Sequence, residues 1–137
     1  MRLFNRSLIF LLAGSLIAQV ATRKDAASTK EIMSSMTIPA SNALFGASEK
    51  PTVQEWAELR KQALALSESG TLLLARGRVK SKSDNPPDWN LSATSMRNAA
   101  QAAIAAIDKK NVELLVGDVA DNILGSCSSC HEKYLPK

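Results

Sequence analysis

Histidine and cysteine are nearly absent from this chain: one histidine and two cysteines stand among 137 residues. A histidine-based catalytic set has only His131 to draw on, and a disulfide-dense scaffold is excluded. The six glycines form no phosphate-cradling loop, and no paired-carboxylate motif is present. No enzyme is expected. Aromatic residues make up 4% of the chain, and no β-branched stretch alternates as a strand would. Lysine and arginine (17) only modestly outnumber aspartate and glutamate (13), so nothing argues for nucleic acid as a partner.

Long apolar runs are missing too. The run from Leu8 to Ala18 follows Arg2 and Arg6 and is shorter than the ~20 residues of a membrane-spanning helix. That order is the order of an export signal, so residues 1–21 are read as a signal peptide and 22–137 as one domain. Gln19 sits where a small residue is preferred before a cut after Ala21, which keeps an uncleaved membrane anchor as the alternative. Removing Arg2 and Arg6 leaves 15 basic residues against 13 acidic ones, a net of +2.

What is abundant is Ala, Leu, Ser, Lys and Glu, and their spacing predicts helix throughout. A first helix over about residues 25–47 places Met33, Met36, Ala40 and Ala43 or Leu44 on one face, with a kink or break expected at Pro39. A second opens at Pro51 and Thr52, where Thr52 and Glu55 have capping-box spacing, and buries Trp56, Leu59, Ala63 and Leu66. Beyond Gly70 the run Leu72 to Leu74 reads as one more turn, and the segment GRVKSKSDNPPD reads as a long loop. A third helix aligns Trp89, Ala93, Met96, Ala100, Ile104 and Ile107. After Lys109 to Asn111 a fourth aligns Val112, Val116, Val119 and Ile123, and the stripe continues through Cys127, Cys130 and Tyr134. Four such helices pack most simply as an all-α antiparallel four-helix bundle.

The scarce residues converge in that fourth helix. Cys127-Ser128-Ser129-Cys130-His131 has the C-x-x-C-H spacing of c-type haem attachment, in which two thiols add to vinyl groups and the adjacent imidazole binds iron. At 100° per residue Cys130 lies about 60° to one side of Cys127 and His131 about 40° to the other, so one planar ligand can meet all three. With two cysteines and one histidine in the chain, chance placement in this order has a probability on the order of one in ten thousand. A Cys127–Cys130 disulfide and a zinc site are the alternatives, the second short of a fourth ligand. An antiparallel bundle also brings the start of the first helix beside the end of the fourth, so Met33 and Met36 approach the far side of such an iron, where a thioether suits electron transfer. Ordinary core packing is the plain role for both, and for Met96.

Through KEIMSSMTIPASNALF, WAELRKQALALSESGTLLL and above all CSSCHEKYLP, the chain resembles the class II c-type cytochromes, the cytochrome c′ family. The resemblance covers residues 22–137. It implies a four-helix bundle with one covalent haem c near the end of the fourth helix, held by Cys127 and Cys130 with His131 on the iron. In low-spin members the sixth ligand is a methionine of the first helix, and the position matches Met33 better than Met36. The function implied is periplasmic electron transfer between redox partner proteins. The alternative is a five-coordinate protein that binds nitric oxide or carbon monoxide. Some members carry a basic residue three places after the haem histidine, where this chain has Tyr134. Family members often form homodimers through helix faces. Trp56 and Trp89 are candidates either for the porphyrin wall or for the core. Arg76, Arg78, Lys80 and Lys82 in the loop, with Lys133 and Lys137 nearer the motif, are candidates for steering an acidic partner.

Overall fold

The computed structural model describes residues 27–76 and 86–135, and its regular structure is helix. The first helix (29–45) starts at Ser28. This residue and Glu31 form a capping box, Ser28 N–H donating to Glu31 Oε2 at 2.6 Å and Glu31 N–H to Ser28 Oγ at 3.2 Å. One α turn (Thr29–Ile32) leads into a π turn (Met33–Thr37) and then an α segment (Ile38–Phe45). The break expected at Pro39 is thus a widened turn just upstream of it. Pro39 has no N–H for the Ser35 carbonyl and its ring would crowd that oxygen. Widening the turn separates them, and the Ile38 N–H reaches back five residues to the Met33 carbonyl. The buried face becomes Ile32, Thr37, Ala40, Ser41 and Leu44, while Met33 and Met36 are half-buried.

The second helix (Val53–Arg76) carries the expected Thr52–Glu55 box, with bonds of 2.6 and 3.2 Å. It runs unbroken through Gly70, so the further turn expected at Leu72 to Leu74 is present, and Gly70 is a packing notch. A Cβ there would lie 3.0 Å from Arg97 Cβ and 3.2 Å from the Ala93 carbonyl oxygen. Leu59, Ala63, Leu66 and Leu73 are buried, and Trp56 is half-buried against the same core.

The third helix (Pro86–Asp108) opens on the two prolines that the sequence assigns to the loop, since a helix tolerates proline in its first turn where N–H groups lack partners anyway. Its expected stripe is in the core, widened by buried Ala99, Ala103 and Ala106, with Ile104 only half-buried. Lys110, at φ 52°, ends it; the Asn111 N–H reaches the Ala106 carbonyl at 2.9 Å and the Lys110 N–H reaches that of Ile107 at 2.8 Å.

The fourth helix (112–134) differs from its expected stripe. Asn111 caps it, accepting from the Leu114 N–H at 2.9 Å. A π turn at Leu115–Val119, with Gly117 at φ −93° and ψ −111°, then shifts the register. Leu115, Val119, Ile123 and Ser126 are buried, whereas Val116 is 46% exposed and Val112, Cys127, Cys130 and Tyr134 are half-buried.

Pairings across the bundle establish its antiparallel course. Arg60 Nε meets Asp108 Oδ1 at 2.8 Å, and Trp89 Nε1 donates to the Leu73 carbonyl at 2.9 Å, so the second and third helices run in opposite senses. Lys133 Nζ meets Asp88 Oδ2 at 3.0 Å, which turns the fourth against the third. The first packs on both the second and the fourth. Burying side chains such as Ile32, Leu44, Leu66, Leu115 and Ile123 stabilises the bundle by about 1.5–3 kcal/mol each. The expected signal segment lies outside the described residues. Among the described ones no helix is long and apolar enough to cross a membrane.

Candidate functional site

Between the first, third and fourth helices lies an open cleft of about 190 Å³, smaller than the ~300–1,000 Å³ typical of small-molecule and cofactor sites. One wall is the end of the fourth helix, which contributes Ser126, Cys127, Cys130 and His131. The first helix contributes Met33, Thr37 and Ser41 to the lining, and the floor comes from the buried Leu73, Trp89, Ala93 and Met96. At the mouth, Ile38, Phe45 and Leu124 are 50%, 41% and 55% exposed, an apolar rim of the kind that marks a ligand-binding groove. No Lys, Arg, Asp or Glu is among the described lining residues, so His131 and the two thiols are the titratable groups in view.

Several expectations meet here. Cys127, Cys130, His131 and Met33 border one cavity, and Met36 does not. The π turn accounts for the difference, because the extra residue between Met33 and Ile38 keeps Met33 in line with Thr37, Ser41 and Phe45. Trp89 lines the cleft while Trp56 belongs to the core. Met96 is core packing at 4% exposure and also forms part of the cleft floor, a place its spacing did not signal. Thr37 and Ser41 were missed too, being small polar residues on an otherwise apolar face. Their hydroxyls donate to the Ile32 and Ile38 carbonyls, at 3.4 and 3.1 Å.

Both cysteines are free thiols. Desolvation pushes each above the ordinary thiol range; at Cys130 the neighbouring Cys127 adds to the rise, and at Cys127 a hydrogen bond with Ser126 partly opposes it. Near neutral pH both are therefore protonated. His131 is exposed. No group of three or more His, Cys, Asp and Glu side chains among the described residues converges to hold a bare metal ion, which disfavours the zinc reading. A haem asks for the opposite geometry, thiols spaced along a ring edge and an imidazole over its centre, inside an apolar slot. The half-buried thiols, the adjacent His131 and the uncharged walls fit that requirement.

Of the basic residues considered for partner docking, Lys133 is paired with Asp88. Arg78, Lys80, Lys82 and Lys137 lie outside the described residues, and of Arg76 the backbone closes the second helix. The chain matches no protein-family model, no curated protein and no solved structure.

Proposed function

We propose that this chain is a periplasmic mono-haem c-type cytochrome that carries electrons between redox partner proteins. Cys127 and Cys130 would hold the haem, His131 and Met33 would ligate its iron, and the chain turns over no substrate of its own. The observation that carries the reading is the convergence, on one uncharged cleft, of the two free thiols, the single histidine and the Met33 thioether. When bound, the haem supplies a one-electron ferric–ferrous couple. Attachment would leave each sulfur as a thioether to the haem, an S–H bond and a vinyl π bond being exchanged for an S–C and a C–H bond with no net oxidation or reduction. The raised thiol pKa values keep both sulfurs protonated, which slows disulfide formation and would leave both free for attachment. Met33, which lines the same cleft, would supply a soft neutral ligand of the kind that favours the ferrous state and raises the potential. With no carboxylate among the described lining residues, the cleft would act in the same direction by leaving the more positive ferric charge uncompensated.

Optical spectra of the oxidised and reduced protein, with carbon monoxide added to the reduced form, test the ligand set. Low-spin bands, a weak near-infrared methionine-to-iron band and no response to carbon monoxide are expected, and Met33→Ala converts the protein to a high-spin form that binds carbon monoxide. A wild-type spectrum that is already high-spin and shifts with carbon monoxide assigns the chain to gas binding instead.

A further inference from the structure

His131 sits in the last turn of the fourth helix, after which Leu135 is extended, and the Leu135 N–H bonds the His131 carbonyl at 3.1 Å. A terminal turn frays unless something outside the helix holds it. A metal-ligating histidine ordinarily has its ring fixed by an acceptor for the second N–H. The exposed imidazole of His131 has no such partner among the described residues. The direction of the ring is therefore set by the turn that carries it, and an ion pair and a ring contact help to fasten that turn to the third helix. One is the Lys133–Asp88 ion pair at 3.0 Å, whose side chains are 53% and 35% exposed, so that solvent screens it heavily. The other is an edge-to-face pair between Trp89 and Tyr134, with ring centroids 5.1 Å apart and planes at 79°.

Trp89 is a firm anchor. It is 8% exposed, lines the cleft and is pinned by donation from Nε1 to the Leu73 carbonyl at 2.9 Å. Tyr134 follows Cys130 by four residues and His131 by three, about 40° and 60° around the helix, so holding its ring fixes the azimuth of both. The second helix thus holds Trp89, Trp89 holds Tyr134, and Tyr134 holds the turn of His131.

We propose that Trp89 and Tyr134 are positioning residues for His131, setting the direction from which its imidazole meets iron. The inference rests on the haem reading above. Its test compares Tyr134→Ala, Tyr134→Phe and Lys133→Ala in the full chain; Tyr134 is half-buried at the end of its helix, so none of these threatens the core. Hydrogen exchange of amides 131–135 reads the latch, and the electron paramagnetic resonance g values of the ferric haem protein read the axial imidazole. Tyr134→Ala is expected to speed exchange by about three- to ten-fold, the range an edge-to-face pair supplies, and to shift or broaden the g values. Tyr134→Phe, which keeps the ring, restores both, and Lys133→Ala changes exchange by less than about twofold. Unchanged exchange in Tyr134→Ala, faster exchange with unchanged g values, or a Tyr134→Phe protein that behaves like the alanine variant overturns the proposal. Failure of the underlying reading shows separately, as a wild-type chain without haem absorbance.

Discussion

Gly70→Ala sets two opposing quantities against each other at a place where the structure decides between them. Alanine is favoured over glycine inside a helix by about 0.8–1.0 kcal/mol, and in an exposed helix that gain would stand alone. Here the new Cβ would lie 3.0 Å from Arg97 Cβ, 3.2 Å from the Ala93 carbonyl oxygen and 3.2 Å from the Arg97 amide nitrogen. Two of those atoms are backbone, so no rotamer change relieves the contact, and Arg97 already buries its Nε without a hydrogen-bond partner. The helices must separate by a few tenths of an ångström, and overpacking of this kind costs about 1–3 kcal/mol. The net expectation is a destabilisation of about 1 kcal/mol, read as a fall in melting temperature of about 4–8 °C for a domain this size. Because Ala93 also lines the cleft, the same variant should perturb any haem spectrum. A Gly70→Ala protein that melts at or above the wild-type temperature would refute the notch argument.

Other consequences follow from particular residues. Lys110 occupies the left-handed region at φ 52°, which strains an L side chain, so Lys110→Gly should raise stability by about 0.5–1 kcal/mol in urea unfolding; a loss would mean the lysine side chain makes a compensating contact. Glu31 and Glu55 have carboxyls held below the ordinary range, each by the backbone N–H and then the hydroxyl of its capping partner, Ser28 or Thr52. Since the folded value is the lower one, their contribution is complete above the unfolded carboxylate range and is lost as pH falls through the depressed value. Amide exchange at the two helix starts should therefore rise only at acid pH, and flat exchange down to pH 3 would contradict it. In the haem-free chain, alkylation of Cys127 and Cys130 should follow a midpoint above the ordinary thiol value of about 8.5, because burial disfavours the thiolate. A midpoint below that value would mean a nearby cation outweighs desolvation.

Features set by neighbouring residues were legible in the sequence. The Thr52–Glu55 capping box needs only a three-residue spacing, and the third-helix stripe from Trp89 to Ile107 follows an unbroken helical period. The fourth helix was misread at Val116, and at Pro39, which does open a second α segment, the π turn before it was not foreseen, for one common reason. A periodic reading advances by the same angle at every step, while each of these helices contains a π turn that inserts a residue. Pro39 signals a disturbance but not whether the chain bends, breaks or widens. That choice is what separates Met33 from Met36. The further turn beyond Gly70 was legible, but composition alone does not show that Gly70 is a notch for a helix arriving from 23–27 residues further on. At the candidate site, C-x-x-C-H was complete in the sequence, whereas the Trp89–Tyr134 contact joins residues 45 positions apart and carries no local signature.

The central claim is covalent attachment at Cys127 and Cys130, and the measurement that meets it most directly is a pyridine haemochrome assay. The protein is purified from a host competent in cytochrome maturation, and the assay follows extraction with acidified organic solvent, which removes non-covalent haem. One haem per chain retained in the wild type, and none in the Cys127→Ala, Cys130→Ala double variant, is the predicted result. A wild-type chain that emerges without haem would contradict the account.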